Sequence, residues 1–234
     1  MKKLFKIAFA FVLAFGLCTT TVKAEETYMT VTSYTETFKP VGEDAELTAS
    51  VVATAGSDGY VYLIKTFADT TVNTVKGENI VEEVEEYTLG AVNYFRAKVV
   101  DPTVEATLTV VATCTGFYAE NLVADDNGGN TNSVAYTFTN NFSTEIGKYK
   151  LTIFTPEGNE IVKVVTPNKY AKFTLGEEEG LLSVGVSGKT AVGAAQTISY
   201  TYNTATTGTT KAIVWVVCLG VGALVLFDRL KKAK

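Results

Sequence analysis

Apolar and polar residues alternate along most of residues 28–203, and this pattern predicts a series of short β-strands. The stretch ATLTVVATC, residues 106–114, shows the alternation most clearly, because Leu108, Val110, Ala112 and Cys114 fall on one face and threonines on the other. Similar stretches rich in Val, Thr, Tyr and Phe recur between turn sequences such as GSDG, PEGN and SGKT. The pattern predicts an all-β fold in which Cys114 is a buried apolar side chain.

One segment departs from this alternation. In GENIVEEVEEYTL, residues 77–89, the apolar residues Ile80, Val81, Val84 and Tyr87 have the spacing of one helix face. The sequence therefore allows a short helix here.

The strands fall into two stretches separated by ADDNGGNTN, a polar and glycine-rich segment. We predict one β-sandwich unit over residues 25–132 and a second over residues 133–203, with immunoglobulin-like architecture. The second unit is small for an independent domain, so a shared interface or one large sandwich stays open. The Cys-Trp-Cys pattern of true immunoglobulin domains is absent, because Trp215 lies in the last apolar run.

The first 24 residues read as a secretory signal peptide. Lys2, Lys3 and Lys6 precede an apolar run over residues 7–18, and small residues stand at Val22 and Ala24. We predict cleavage after Ala24.

The C-terminal segment reads as a membrane anchor. We predict a Thr-rich neck over residues 204–211, a transmembrane helix over 212–228 and a basic cytoplasmic tail over 229–234. A helix over the uncharged residues 212–227 would be about 24 Å long, and flanking Lys211 and Arg229 can extend its reach across a bilayer. The expected location is the cell membrane, in single-pass topology with the β body outside and the lipid bilayer as partner.

The distribution of charge along the chain bears on the class of partner that the protein can bind. The whole chain carries −5, but residues 25–203 hold 11 basic and 24 acidic residues, a net charge of about −13. Such an acidic body does not favour nucleic-acid binding, which needs a basic surface. The acidity fits solubility at an outer surface, with a basic partner or divalent cations as the alternative.

Histidine is absent from all 234 residues. This excludes a Ser-His-Asp triad, a Cys-His pair and His-containing zinc sites. We therefore predict no enzyme and no cofactor. One oxygen-rich loop, with Asp125, Asp126 and Asn127, is a weak calcium candidate, but it does not fit the EF-hand pattern and such residues are ordinary in turns.

Two further patterns suggest alternative functions. Glu82, Glu83, Glu85 and Glu86 could supply the carboxylate pair of a glycosidase, although such runs usually form a solvated face. Tyrosine pairs at spacing i, i+2 could stack on sugar rings, although core or cross-strand packing is the more ordinary role. These pairs are Tyr60 with Tyr62 and Tyr200 with Tyr202.

The residues before the last apolar run carry a family resemblance. Thr204-Ala205-Thr206-Thr207-Gly208, followed by an apolar run and a basic tail, resembles the cell-wall sorting signal of Gram-positive surface proteins. In that family a sortase cuts an LPXTG-type or LAXTG-type motif between Thr and Gly. This chain keeps the Thr-Gly pair, but Ala stands where Pro is usual and Thr where Leu is usual. The resemblance implies sortase and the cell wall as partners, and plain membrane retention is the alternative.

The same resemblance extends to pilin-like and adhesin-like β-domains, in which an inward Lys and Asn can condense to an isopeptide bond. Lys65 and Asn140 each fall on the apolar parity of their strand and are the candidates here. The alternative is a lysine at a strand end that reaches solvent.

Another alternative for the tail is a eukaryotic dilysine retrieval signal at Lys231 and Lys232. The sequence thus predicts a surface-anchored protein with a structural or adhesive role, with carbohydrate binding as the runner-up and a carboxylate glycosidase as a remote alternative.

Overall fold

The computed structural model describes residues 28–81, 83–124, 130–165 and 173–204, and these residues form strands and loops without a helix. The fourteen strands are β1 Thr30–Val41, β2 Asp44–Thr54, β3 Tyr60–Ile64, β4 Thr70–Glu78, β5 Glu85–Leu89, β6 Val92–Lys98, β7 Ala106–Cys114, β8 Leu122–Ala124, β9 Asn130–Thr139, β10 Ile146–Phe154, β11 Asn159–Val165, β12 Thr174–Glu178, β13 Leu181–Thr190 and β14 Ala195–Thr204. The predicted all-β fold is confirmed.

The strands build three sheets. A seven-stranded sheet has the order β12-β13-β10-β1-β2-β7-β4, a four-stranded sheet has the order β11-β14-β9-β8, and a three-stranded sheet has the order β3-β6-β5. Strands β1 and β10 pair in parallel. On their other sides, β1 pairs antiparallel with β2, and β10 pairs antiparallel with β13. The parallel pair joins residues more than one hundred positions apart, since Ser33 lies opposite Lys148.

The two smaller sheets cover the inner face of the seven-stranded sheet, which is consistent with a β-sandwich. Tyr34 on β1 packs on Phe138 of β9 with ring centroids 4.9 Å apart. Its hydroxyl accepts a hydrogen bond of 3.1 Å from the backbone N–H of Ile64, at the end of β3. The buried side chains of all three sheets form one continuous hydrophobic core.

The boundary expected at residue 132 falls within β9. Strands before it (β1, β2, β4 and β7) and strands after it (β10, β12 and β13) belong to the same seven-stranded sheet. In the described residues, the two stretches therefore share one sheet and one core instead of closing separately.

The segment that could have formed a helix does not. Glu85–Leu89 is strand β5, paired antiparallel with β6, and Ile80 forms an isolated β-bridge with Val99. Pairing with β6 satisfies the backbone of this short segment, and that tertiary contact outweighs the helical spacing of its apolar residues.

Several expectations concern residues outside the described part of the chain. These are the signal peptide with cleavage at Ala24, the calcium candidates Asp125, Asp126 and Asn127, the motif residues Ala205 to Gly208, the apolar run and the basic tail. Within the described ranges, no helix is long and apolar enough to cross a membrane.

Candidate ligand-binding pocket

The outer face of the three-stranded sheet is unusually rich in aromatic side chains. Tyr87 on β5 lies directly opposite Tyr94 on β6, and Tyr62 on β3 lies opposite Arg96 on β6. Because side chains two apart on a strand share a face, Tyr94 and Arg96 point to the same side, together with Tyr60 and Tyr62. On β3 and β6, the opposite face carries Val61, Leu63, Phe95 and Ala97 into the core.

These rings wall a cavity of about 410 Å³ that opens to solvent. Tyr62, Tyr87 and Tyr94 come from the sheet, while Tyr28 precedes β1 and Phe142 follows β9. The Tyr94 hydroxyl donates a hydrogen bond of 3.1 Å to the carbonyl of Asn141, which ties the 141–143 loop to the sheet. The pocket therefore lies where the small sheet meets the ends of the larger layers.

The rings stand at large angles to each other. Tyr62 and Tyr94 have centroids 5.7 Å apart and an interplanar angle of 79°, and Tyr62 and Tyr87 are 5.8 Å apart at 53°. Tyr94 and Phe142 lie 6.2 Å apart at 36°. These are edge-to-face and tilted contacts of the kind that aromatic side chains prefer, and they leave the rings as inclined walls.

A carboxylate closes one side of the pocket. The Tyr62 hydroxyl donates a hydrogen bond to Oδ2 of Asp58, and the Tyr60 backbone N–H donates one of 3.2 Å to Oδ1. Partial burial, followed by this hydrogen bond to Asp58, raises the pKa of Tyr62 to about 12. The phenol therefore stays neutral and remains a donor to the carboxylate at physiological pH.

Arg96 lies beside the pocket and engages the same set of rings. Its guanidinium is 4.0 Å from the ring centroid of Tyr87 and 4.5 Å from that of Tyr60, and its Nε donates a 2.9 Å hydrogen bond to Glu85. The side chain thus combines cation–π contact with an ion pair. Desolvation acts to lower the pKa of Arg96, but the interactions of its guanidinium with Glu85 and Tyr62 together raise it.

The two tyrosine pairs noted in the sequence have different environments in the structure. Tyr60 and Tyr62 lie on the outer face, but their rings are 6.4 Å apart and inclined by 48°, so they do not form a flat platform. Tyr200 and Tyr202 are buried in the core, and the Tyr200 hydroxyl donates 3.1 Å to the carbonyl of Phe154. This second pair is structural, because it has no surface to offer a ligand.

The glutamates of the 82–86 segment do not converge in a cleft. Glu85 and Glu86 are consecutive on β5 and point to opposite sides, where Glu85 pairs with Arg96 and Glu86 pairs with Lys65 at 2.7 Å. Glu83 is exposed in the preceding loop, and Glu82 lies outside the described residues. Glu85 and Glu86 are therefore ion-pair partners on an exposed strand.

Lys65 and Asn140 have separate partners. Lys65 follows the last residue of β3, and its ammonium reaches out to Glu86. Asn140 is fully buried, and its Nδ2 donates hydrogen bonds of 3.0 Å and 2.9 Å to the carbonyls of Thr144 and Thr190. The amide thus holds the loop after β9, and the Lys65 side chain, 12% exposed, lies between Glu86 and the ring of Phe95. The isopeptide bond stays a prediction.

Two other expectations concern single residues or metals. Cys114 is free and buried, and desolvation raises the pKa of its thiol to about 11. Of the sorting-like motif, the structure describes only Thr204, the last residue of β14. The described residues contain no cluster of three or more His, Cys, Asp or Glu side chains that could hold a metal ion.

Sequence reasoning missed most of this pocket. It singled out Tyr62, but Asp58, Tyr87, Tyr94 and Phe142 join it only through pairing of β3, β5 and β6 and through the loop after β9. The available signal was the presence of four tyrosines between residues 60 and 94, in the segment that forms β3, β5 and β6.

Comparison with known proteins adds only distant similarities. No protein-family model matches the chain, and no curated protein matches it. Among solved structures, a putative protease from Parabacteroides distasonis has a TM-score of 0.46 at 10% identity over 74% of this chain and 40% of its own length. An M1 zinc metallopeptidase from Deinococcus radiodurans has a TM-score of 0.41 at 9% identity over 74% of this chain and 42% of its own. Leukotriene A4 hydrolase from Saccharomyces cerevisiae has a TM-score of 0.41 at 8% identity over 76% of this chain and 33% of its own. The chain spans less than half the length of each of these proteins, and similarities at this level assign no activity to it.

Proposed function

We propose that this chain is a surface-displayed, non-enzymatic protein with an immunoglobulin-like β-sandwich that adheres to an extracellular ligand through the aromatic pocket. The observation that carries the adhesive role is the pocket itself, about 410 Å³ in volume and walled by tyrosines. Aromatic walls with a few placed polar groups are typical of ligand sites, because rings supply large contact area at low entropic cost.

Support for display comes from the two ends of the sequence. A basic and apolar segment ends at Ala24, and a longer apolar run with a basic tail follows Gly208. Attachment to the wall at Thr207 and retention by the apolar run both leave the β body outside the cell. The acidic charge of about −13 over residues 25–203 suits a soluble domain at such a surface.

Carbohydrate binding is the second candidate for the same pocket. The rings of Tyr62 and Tyr87 line it, and tyrosine rings can stack on the apolar faces of sugars. The inclination of 53° between these two rings limits such stacking to one ring at a time.

The display claim is tested by the intact mass and terminal peptides of the native chain. Source cells are treated with wall hydrolase, and the wall, membrane and cytosolic fractions are analysed separately. We expect a chain that begins at Glu25 and ends either at Thr207 with wall peptide attached or at Lys234 in the membrane fraction. A chain that keeps residues 1–24 and is recovered from the cytosol would contradict display.

A further inference from the structure

We infer that the aromatic pocket is a cage for an organic cation of the alkylated-ammonium class, such as a choline head group. The inference rests on the proposed function, because it names the ligand class of the same site. Three observations carry it: the inclination of the rings, the carboxylate at the wall, and the cation that the neighbouring rings already hold.

The ring geometry suits a compact ligand. The centroids of Tyr87 and Tyr94 each lie within 5.8 Å of the Tyr62 centroid, and the planes are inclined by 53° and 79°. A cation is attracted to a ring when it lies within about 6 Å of the centroid. At these centroid distances the rings touch each other, so an ammonium group would occupy the angle between two inclined ring faces, whereas a sugar prefers one flat platform.

The charge at the pocket favours a positive ligand. Asp58 is exposed at its wall, and among the described residues its hydrogen-bond donors are the Tyr62 hydroxyl and the Tyr60 backbone N–H. Within the part of the chain that the structure describes, Asp58 has no ion-pair partner, and neither Lys nor Arg lines the pocket. An entering cation would gain this carboxylate, while an anion would meet it and the net negative charge of the β body.

On the adjoining surface, tyrosine rings and a carboxylate already bind a cationic side chain. The Arg96 guanidinium lies over the rings of Tyr87 and Tyr60 and pairs with Glu85, so it combines two rings with one carboxylate. Arg96 also interacts with the Tyr62 side chain, whereas in the described residues no Lys or Arg forms a cation–π contact with Tyr94 or an ion pair with Asp58. A trimethylammonium group has the size of a tert-butyl group and fits a cavity of about 410 Å³.

The test is calorimetric titration of the full-length protein, purified without zwitterionic detergent. The probe is choline chloride, and the matched control ligand is 3,3-dimethylbutan-1-ol, which has the same shape without the charge. We expect choline to bind about tenfold more tightly than the neutral alcohol, since the charge interacts with rings and carboxylate together. Tetramethylammonium should bind as choline does, because the proposed contacts are to the ammonium head.

Variants assign the effect to the pocket. Asp58→Asn keeps the size and the acceptor for Tyr62, and it should weaken choline binding about fivefold without changing binding of the neutral alcohol. Tyr87→Leu removes one wall and should weaken binding about tenfold or more. Asp69→Asn, an exposed aspartate before β4, serves as the matched control and should leave the Kd unchanged. Circular dichroism of each variant confirms that the fold is retained.

Several results would overturn the inference. Equal affinity for choline and the neutral alcohol would make the pocket merely apolar. Binding of choline that Asp58→Asn and Tyr87→Leu leave unchanged would place the cation elsewhere. Binding of cellohexaose or chitohexaose in place of choline would favour the carbohydrate alternative and leave the proposed adhesive role intact. Failure of display is read separately, from the termini of the native chain.

Discussion

Replacing Glu36 by glutamine should change how the stability of this protein depends on pH. Glu36 lies on β1 with its side chain in the core, and only 1% of it is exposed. Tyr136 donates a hydrogen bond of 2.7 Å to one carboxylate oxygen, and Tyr149 donates one of 2.9 Å to the other. Burial raises the pKa of Glu36 from 4.5 to about 7, although the two hydrogen bonds act in the opposite direction.

The direction of the pH dependence follows from the proton affinity of Glu36 in the folded and unfolded states. The folded protein holds the Glu36 proton more tightly than the unfolded chain, so this group contributes most to stability below pH 4.5. Its contribution falls as pH rises from 4.5 to about 7, and it stays constant above that. Each pKa unit corresponds to about 1.4 kcal/mol, so the total loss is about 3 kcal/mol.

The assay is urea unfolding of the full-length protein at pH 4.5 and pH 8, followed by circular dichroism. Glutamine does not titrate and can still accept a hydrogen bond from either tyrosine. The free energy of unfolding of Glu36→Gln relative to wild type should therefore rise by about 3 kcal/mol between pH 4.5 and pH 8. Glu46→Gln, an exposed position on β2, is the control and should shift stability by less than about 0.5 kcal/mol at both values.

Either of two results would refute this reasoning. If the difference between Glu36→Gln and wild type were the same at both pH values, burial would not be perturbing the carboxyl. If the wild type gained stability over the variant as pH rose, the tyrosine hydrogen bonds would outweigh desolvation and the direction of the pKa change would be wrong.

Three further predictions concern packing and chemistry elsewhere in the fold. Gly77→Ala should lower the free energy of unfolding by more than about 3 kcal/mol in urea titration, because a Cβ there would lie 2.0 Å from the backbone oxygen of Thr107. Gly176→Ala meets only a side-chain hydroxyl and is the milder comparison; equal losses would contradict the clash. Tyr118→Phe should cost about 1 kcal/mol, since its hydroxyl donates 2.6 Å to a buried carbonyl, and an unchanged urea midpoint would refute that role. Cys114 should resist iodoacetamide in the native protein at pH 8 and react after unfolding, as read by peptide mass; fast native labelling would show that the thiol is not buried.

The parts of the fold that follow from local pattern are the parts that the sequence predicts well. Strand β7 alternates strictly, and Leu108 and Cys114 are buried as that alternation requires. The all-β class follows from many such segments. Strand β5 could not be recognised from the local sequence, because its Tyr87 and the preceding Val81 and Val84 fit a helix face equally well, and only pairing with β6 decides.

In strand β1, a register shift changes which residues face the core, and the alternation of the sequence does not predict that change. Its register with β2 shifts between Val31 and Ser33, so the inward parity changes within the strand. Val31 is buried at one end, and Tyr34 and Glu36 are buried after the shift. A buried glutamate is not expected from a strand pattern, because its burial depends on tyrosines that arrive from β9 and β10.

The pocket likewise could not be predicted from the sequence. Its rings and Asp58 come from strands and loops that meet only in the folded protein. The parallel pairing of β1 with β10, which brings the second half of the chain against the first, is likewise a long-range contact that no local pattern encodes.

The central claim is that the aromatic pocket is the ligand site, and tyrosine NMR tests it most directly. The full-length protein is labelled with ¹³C at the ring ε positions of tyrosine, each resonance is assigned by a Tyr→Phe variant, and choline is titrated. We predict saturable shifts at Tyr62, Tyr87 and Tyr94, with the buried Tyr34 and Tyr200 unmoved as internal references. Shifts at tyrosines outside the pocket, or none at the three pocket tyrosines, would contradict the account.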